Sequence, residues 1–166
     1  MQVSRKYILS KEQVERKIRR LAFEIAERNF NKQELYFVAI KDNGVTLAVK
    51  IANILSAIST VQVHICALSL DKKNPKDIIV DPLPSPKDAV IILIDDVASS
   101  GKTMLYALQP LLKIYPAKIQ TLVLVERTHK AFPIQIDYVG MSVATTLEEH
   151  IYVEVEGSEL TGAYMD

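Results

Sequence analysis

The sequence has only one cysteine, Cys66, among its 166 residues. A single cysteine cannot form an intramolecular disulfide, and it cannot supply the several thiolates of a cysteine-based zinc site. Cys66 lies in an apolar, strand-like run, where we expect a buried and unreactive thiol. Chemistry that depends on paired cysteines is therefore excluded.

The sequence also has no excess of charge, because 20 basic and 20 acidic side chains cancel. A chain that coats nucleic acid or an anionic membrane usually carries a basic excess. Binding of such a partner would therefore need a local basic patch. No apolar run approaches the ~18 residues that span a bilayer. The opening MQVSRKYILS has no apolar core of a signal peptide, so we expect a cytoplasmic protein without a membrane partner.

Hydrophobic residues make up 49% of the chain and charged residues 24%, which is ordinary for a globular protein. The length suits one domain, which we predict over residues 1–166. Spacing and capping signals predict helices at Lys11–Asn29, at Val45–Ile58 and from about Lys102. Apolar runs predict strands at Leu35–Ile40, Val61–Leu70, Ala89–Ile94 and Ile119–Glu126, with a proline-rich loop at Asp71–Asp88.

These strands lack clean alternation and are separated by helices, which indicates an α/β fold with a central parallel sheet flanked by helices. Ligands of such sheets bind at the carboxyl ends of the strands. The stretch VIILIDDVASSGKTM (Val90–Met104) places a small-residue loop at such an end, directly before a helix. Backbone N–H groups and the positive helix end make this loop a candidate phosphate site.

This stretch has two alternative interpretations besides a sugar-phosphate site. A nucleoside-triphosphate P-loop, G-x-x-x-x-G-K-[ST], would need its first glycine where Asp96 stands, and a carboxylate there would repel a polyphosphate. A purely structural role would have Asp95 and Asp96 cap the strand end and the turn. We favour a sugar phosphate, because ionised carboxylates only accept hydrogen bonds and suit vicinal hydroxyls.

The whole pattern resembles the signature of the type I phosphoribosyltransferases: an apolar strand, two acidic residues, an apolar residue, two variable residues, Ser or Thr, Gly, a variable residue and Thr. Two further stretches are similar to the PyrR branch of that family, ILSKEQVERKIRRLAFEIAERN near the start and VERTHKAFPIQIDYVGMSVATTLEEHIYVEV at Val125–Val155. The resemblance implies a type I phosphoribosyltransferase fold. It adds a small hood, built from the chain's start and Asp137–Val155, and association as a homodimer or higher homo-oligomer.

The resemblance also implies the site. Asp95 and Asp96 would be the catalytic pair that holds the ribose hydroxyls of phosphoribosyl pyrophosphate (PRPP). The 5′-phosphate would bind at Ala98, Ser99, Ser100, Gly101, Lys102 and Thr103, and the pyrophosphate at Lys41, Asp42, Asn43, Gly44 and Lys72. The nucleobase would contact Tyr138, by stacking, and Val139, through its backbone. Mg²⁺ would arrive through PRPP and water, so no protein metal ligands are expected.

The pyrophosphate loop departs from the branch, which has G-I-K-T-R-G where this chain has AIKDNG. Asn43 replaces an arginine and Asp42 a threonine, which should weaken the pyrophosphate site. The alternative interpretation of Lys41 is an ordinary solvated surface lysine without a role in binding. Lys72, in DKKNPK, stands where the branch has another arginine.

For the base, Ser99 and Glu126 stand where purine-using relatives have an acid and a lysine, which disfavours hypoxanthine and guanine. Uracil is the leading candidate. The alternative interpretation of Tyr138 is an aromatic side chain that packs in the core at the start of a strand.

The expected function is therefore a PRPP-dependent transferase acting on a pyrimidine. The alternative is a non-catalytic regulator that senses PRPP or a nucleotide and binds mRNA. The predicted first helix carries four basic side chains, but acidic side chains lie among them, so we favour a salt-bridged surface over an RNA site. The four are Arg16, Lys17, Arg19 and Arg20.

Overall fold

The computed structural model describes residues 4–85 and 87–166. Its helices are α1 (Lys11–Arg28), α2 (Asn43–Ile58) and α3 (Lys102–Leu112). Its strands are β1 (Lys6–Leu9), β2 (Glu34–Ile40), β3 (Gln62–Ser69), β4 (Ile79–Asp81), β5 (Val90–Ala98), β6 (Lys118–Arg127), β7 (Tyr138–Val143), β8 (Ile151–Glu156) and β9 (Glu159–Met165). Within the described ranges, no helix combines the length and the apolar character needed to cross a bilayer.

The main sheet has six strands in the order β4-β3-β2-β5-β6-β7, and only β4 runs antiparallel to its neighbour. The predicted parallel sheet is thus confirmed. Buried residues of α1 and α2 pack on one face and those of α3 on the other. Because both faces are covered, the strands read as continuous apolar runs.

Helix α1 begins as its capping signal predicts. The Ser10 hydroxyl accepts a hydrogen bond from the Gln13 backbone over 3.3 Å, and the Gln13 side chain accepts one from the Ser10 backbone over 2.8 Å. These contacts satisfy two N–H groups that would otherwise have no partner in the first turn.

A second, antiparallel sheet has the order β1-β9-β8, and we call it the hood. The prediction of its composition was partly wrong. Residues 138–143 form β7, which pairs in parallel with β6 and extends the main sheet. The chain's last residues, in which the sequence offered no readable signal, form β9, the middle strand of the hood.

Two further boundaries differ from the prediction. The predicted loop at 71–88 contains the short edge strand β4, which pairs with β3. Strand β5 continues past Ile94 to Ala98, because its parallel pairing with β6 continues beyond the apolar run. Asp95 and Asp96 therefore lie within the strand rather than after it.

Candidate functional site

A cavity of about 320 Å³ lies at the carboxyl end of β5. One wall is formed by residues 96–101 and by the first turn of α3. Asn43 is the first residue of α2, Lys72 lies in the loop that follows β3, and residues 151–153 of β8 form the wall on the hood side. The topology thus brings together segments that are far apart in the sequence.

The loop that enters α3 is held in one conformation. Gly101 precedes the helix with φ +81°, and a Cβ there would meet Ile134 Cγ2 at 2.6 Å. The Ser100 carbonyl accepts the Phe132 N–H over 3.0 Å, and the Ser100 hydroxyl accepts the Lys102 N–H over 3.2 Å. Position 101 therefore requires glycine. Gly101 lies in the cavity wall and is followed directly by the first residue of α3.

Asp95 is almost fully buried, with 1% of its surface exposed. Its Oδ1 accepts the Asp96 N–H over 2.9 Å, whereas its buried Oδ2 has no hydrogen bond within the described residues. Lys72 Nζ lies 3.7 Å from Oδ2. Burial first, and repulsion by Asp96 second, raise the pKa of Asp95 well above its ordinary value, while Lys72 opposes the shift. Burial dominates because the lysine is half exposed and its ion pair is long.

Asp96 is half-buried and faces the cavity. Its Oδ1 accepts the Val97 N–H over 2.9 Å, and its Oδ2 accepts a hydrogen bond from Asn43 Nδ2 over 3.0 Å. Each aspartate therefore caps the next backbone N–H, as the structural alternative requires. Each also keeps a second oxygen for another contact, so capping does not use up either carboxylate.

Asn43 connects three parts of the molecule. It is the first residue of α2, and the same Nδ2 that contacts Asp96 also donates to the Val153 carbonyl on β8 over 3.2 Å. The Lys41–Asp42 peptide bond just before it is cis. Asn43 thus holds the start of α2, the acidic pair and the hood together.

The other predicted residues of the pyrophosphate loop, Lys41, Asp42 and Gly44, lie outside the cavity wall. A Cβ on Gly44 would lie 2.9 Å from the Ile94 carbonyl oxygen, so the first turn of α2 packs directly against β5. Lys41 and Asp42 are exposed and do not line the cavity. Lys102 lies in the first turn of α3 but is likewise absent from the cavity wall.

The prediction that Tyr138 stacks on a base is contradicted. Its side chain has no exposed surface, and its hydroxyl donates to Gln120 over 2.8 Å and accepts from Asn29 over 3.2 Å. The packed-aromatic alternative is correct, because these partners hold the ring in the core. The carbonyl of Val139 accepts a hydrogen bond from Arg20 over 3.0 Å. Neither residue lines the cavity.

Nothing in the sequence of β8 indicates that it belongs to the site. Ile151, Tyr152 and Val153 are ordinary strand residues, and Met104 is an ordinary core residue of α3. The alternation in IYVEVE could have indicated a strand, but no side chain there indicates a ligand.

The cavity therefore brings a loop at a helix start, the carboxylate of Asp96 and one lysine to the carboxyl end of a parallel sheet, which is where α/β proteins bind their ligands. The model of the phosphoribosyl transferase domain matches residues 4–156. The chain belongs to this family, as its motif predicted.

Two relatives match over most of their length. The chain is 34% identical over 161 residues to the Bifunctional protein PyrR of Ligilactobacillus salivarius, covering 88% of this chain and 90% of that protein. It is 34% identical over 160 residues to the Pyrimidine operon regulatory protein of Lactococcus lactis, covering 92% and 91%. The hypoxanthine phosphoribosyltransferase of Trypanosoma cruzi shares the fold with a TM-score of 0.74 at 16% identity, covering 84% of this chain and 82% of that one.

Proposed function

We propose that this phosphoribosyltransferase transfers the 5-phosphoribosyl group of PRPP to a pyrimidine base, with uracil as the leading candidate, and releases pyrophosphate. The observation that carries the proposal is that Asp96 and the loop 98–101 line one cavity, with the buried Asp95 next to Asp96 in the strand. The Lactococcus lactis relative is a pyrimidine operon regulatory protein, which supports the choice of a pyrimidine.

In this proposal the 5′-phosphate binds in the loop before α3. Ala98, Ser99 and Gly101 lie on the cavity wall, and Thr103 adds a hydroxyl from the first helical turn. The positive end of α3 favours a dianion at this place. Lys102 would act through its charge at longer range, since it lies outside the wall.

The aspartates bind the ribose. Asp96 Oδ2 accepts one hydroxyl after exchanging its bond with Asn43, and Asp95 Oδ2 accepts the other. The reaction breaks the bond between ribose C1 and the pyrophosphate oxygen and forms a bond from C1 to a base nitrogen, which loses its proton. Positive charge builds up on the sugar in between, and two adjacent carboxylates stabilise it.

Magnesium would reach the site on PRPP. Among the described residues, no three or more His, Cys, Asp or Glu side chains lie close enough together to hold an ion. Because the free oxygens of Asp95 and Asp96 are assigned to the ribose hydroxyls, the ion would take its remaining ligands from water. When bound, the ion neutralises the leaving pyrophosphate.

The second candidate is a regulator that binds PRPP or a nucleotide without turnover. The altered pyrophosphate loop favours it, because Asn43 is neutral and its amide is engaged with Asp96 and Val153. Lys72 is then the one cation among the described residues that line the cavity. An RNA contact through α1 is less favoured, since Arg16 pairs with Glu12 and Arg20 with Glu24.

The test is a panel of nucleobases with PRPP and Mg²⁺, assayed for pyrophosphate release, together with calorimetric binding of PRPP and UMP. We expect turnover with uracil and none with hypoxanthine or guanine. Binding without turnover on any base would favour the regulator. In that case Asn43→Arg, which restores a bidentate cation, should restore release. Absence of binding by PRPP and by UMP would overturn both candidates.

We also propose a homodimer or higher homo-oligomer. Large apolar side chains remain exposed on the single chain, among them Phe30 at 86%, Tyr115 at 83% and Leu147 at 93%. Sedimentation of the purified protein tests this, and a monomer at micromolar concentration would contradict it.

A further inference from the structure

The amino end of the main sheet carries a lysine that the proposed function does not use. Lys118 is the first residue of β6 and pairs with Val90 at the start of β5, whereas the cavity lies at the carboxyl end of the sheet. Its side chain is half-buried, and its Nζ donates a hydrogen bond of 2.7 Å to Asn29 Oδ1. Asn29 is the C-cap residue of α1 and has only 3% of its surface exposed. The amine of Lys118 is therefore held against a neutral amide oxygen.

The orientation of the Asn29 side chain is fixed by its own contacts. Its Nδ2 donates to the Ile25 carbonyl over 3.0 Å and to the Tyr138 hydroxyl over 3.2 Å. These acceptors come from α1 and from β7, so the amide nitrogen is engaged on the side of the core. The amide oxygen is left for Lys118, and the amine stays in one position.

The charged groups around this amine do not neutralise it. Within the described part of the chain, no carboxylate forms an ion pair with Lys118. Asp137 is the acid whose charge acts on it, but the Oδ2 of Asp137 accepts hydrogen bonds from the N–H and the hydroxyl of Thr121, at 2.9 and 3.2 Å. A second lysine approaches instead, because the Lys32 backbone N–H donates to the Asn29 carbonyl over 2.9 Å. Both lysines therefore contact the same asparagine.

These surroundings disfavour the ammonium form of Lys118. Burial first, and the charge of Lys32 second, lower the pKa of Lys118, while Asp137 opposes the shift. Near neutral pH, a larger share of this amine than of an exposed lysine is therefore unprotonated. Only the unprotonated amine has the lone pair that a nucleophilic attack requires.

We propose that Lys118 is a site of covalent acylation and that its reagent is an acyl phosphate. The Nζ lone pair attacks the acyl carbon, the bond from this carbon to the phosphate oxygen breaks, and the phosphate leaves with that electron pair. The nitrogen, now part of an amide, releases one proton to water. The step needs no oxidant or reductant. The site lies outside the cavity and does not depend on the proposed function.

The choice of an anionic reagent rests on Lys32, which is exposed beside the same asparagine. An uncharged acylating reagent gains nothing from this cation. The phosphate group of an acyl phosphate is attracted by it, and the negative charge that develops on the leaving phosphate is stabilised. The product replaces a cation beside the C-terminal end of α1, which the helix dipole favours, with a neutral amide. Acylation therefore changes the local charge and leaves the cavity open.

The first experiment incubates the folded protein with acetyl phosphate near neutral pH and follows each lysine by mass spectrometry of its peptides. Lys113, exposed at the end of α3, is the internal reference. Lys118 should be acetylated about three- to tenfold faster than Lys113, because more of its amine is unprotonated. In guanidinium chloride the two rates should become equal, since the surroundings that act on Lys118 are lost. Equal rates in the folded protein, or the same preference in the unfolded protein, would overturn the proposal.

The second experiment compares Lys32→Gln with Lys113→Gln. Both substitutions remove one exposed lysine, so both variants should fold, but only Lys32 lies beside Asn29. The acetylation rate at Lys118 should fall about threefold or more in Lys32→Gln and stay unchanged in Lys113→Gln. Equal rates at Lys118 in the two variants would overturn the proposal.

The same two variants, treated with the uncharged acetyl ester of N-hydroxysuccinimide, test the choice of reagent. With this ester Lys32→Gln should lose less of its rate at Lys118 than with acetyl phosphate, because Lys32 attracts only the anionic reagent. Equal losses with the two reagents would overturn the assignment of an acyl phosphate.

Discussion

The side-chain amide of Asn43 donates a hydrogen bond of 3.0 Å to the carboxylate of Asp96. The same nitrogen donates to the Val153 carbonyl, so both amide hydrogens are used. A single side chain from the start of α2 therefore links an acidic residue at the end of β5 to the hood. Occupation of Asp96 by a ligand hydroxyl would compete directly with this link.

The first prediction tests the link by Asn43→Ala. Two hydrogen bonds are lost, one of them to a charged group, so the free energy of unfolding should fall by about 1–3 kcal/mol in urea denaturation. Asn53→Ala is the matched control, because Asn53 is exposed on the same helix and its side chain makes no hydrogen bond within the described residues. Equal effects of the two substitutions would show that the bridge contributes nothing to stability.

The second prediction concerns pH and Asp95. Its pKa in the folded protein lies above the ordinary value of 3.8, chiefly because it is buried. Between these two pKa values the folded state holds the proton more tightly than the unfolded state. The contribution of Asp95 to stability is therefore greatest on the acid side and falls as the pH rises through this window. Binding of a ribose hydroxyl needs the ionised acceptor, so ligand affinity should rise over the same window.

Asp95→Asn separates these effects from other titrations. Calorimetric titration of ribose 5-phosphate from about pH 5 to pH 8 should show a steeper rise in affinity for the unaltered protein than for the variant. The ionisation of the ligand phosphate is common to both and cancels in the comparison. At neutral pH the variant should fold at least as well and bind more weakly. The same pH slope in both proteins would remove Asp95 from the binding site.

The third prediction concerns Lys72, whose Nζ lies 3.7 Å from Asp95 Oδ2 and lowers the pKa of that carboxyl. Lys72→Gln should move the pH at which ligand affinity rises to a higher value. At neutral pH it should weaken ribose 5-phosphate binding by up to about fivefold, the range for a solvent-screened pair. Lys73→Gln, the neighbouring exposed lysine, is the control and should change neither. Identical behaviour of the two variants would mean that only overall charge matters.

The parts of the fold that follow from local signals could be predicted from the sequence. The Ser10–Gln13 capping box marked the start of α1, and the apolar run ending in two aspartates marked β5 and the site beside it. In each case a few adjacent residues determine the local structure. The same reasoning placed the start of α3 near Lys102, directly after the small-residue loop.

The features that could not be predicted depend on which face of a sheet a side chain lies on and on which strands become neighbours. The sequence shows that Tyr138 begins a strand, but the register against β6 decides which way its ring points, and it points into the core. Strand β9 was missed because its alternation is weak and its partners, β1 and β8, lie apart in the chain. Strand β8 reaches the cavity through Ile151, Tyr152 and Val153, and none of these residue types indicates a ligand site.

The last prediction concerns Gly101, which differs from the other positive-φ glycine in its surroundings. Gly101 has φ +81° and would bring a Cβ to 2.6 Å from Ile134 Cγ2, whereas Gly157 has φ +61° and no atom within 4 Å of a Cβ. Alanine at either position incurs the cost of the left-handed conformation, about 1–2 kcal/mol. Gly101→Ala adds the clash, so its free energy of unfolding should fall further than that of Gly157→Ala. Relief of the clash with Ile134 would displace the loop before α3. We therefore expect about a tenfold loss of ribose 5-phosphate affinity in Gly101→Ala and none in Gly157→Ala. Urea denaturation and calorimetric titration of both variants measure these differences. Equal stabilities would mean that Ile134 yields without cost, and unchanged affinity in Gly101→Ala would place the phosphate outside this loop.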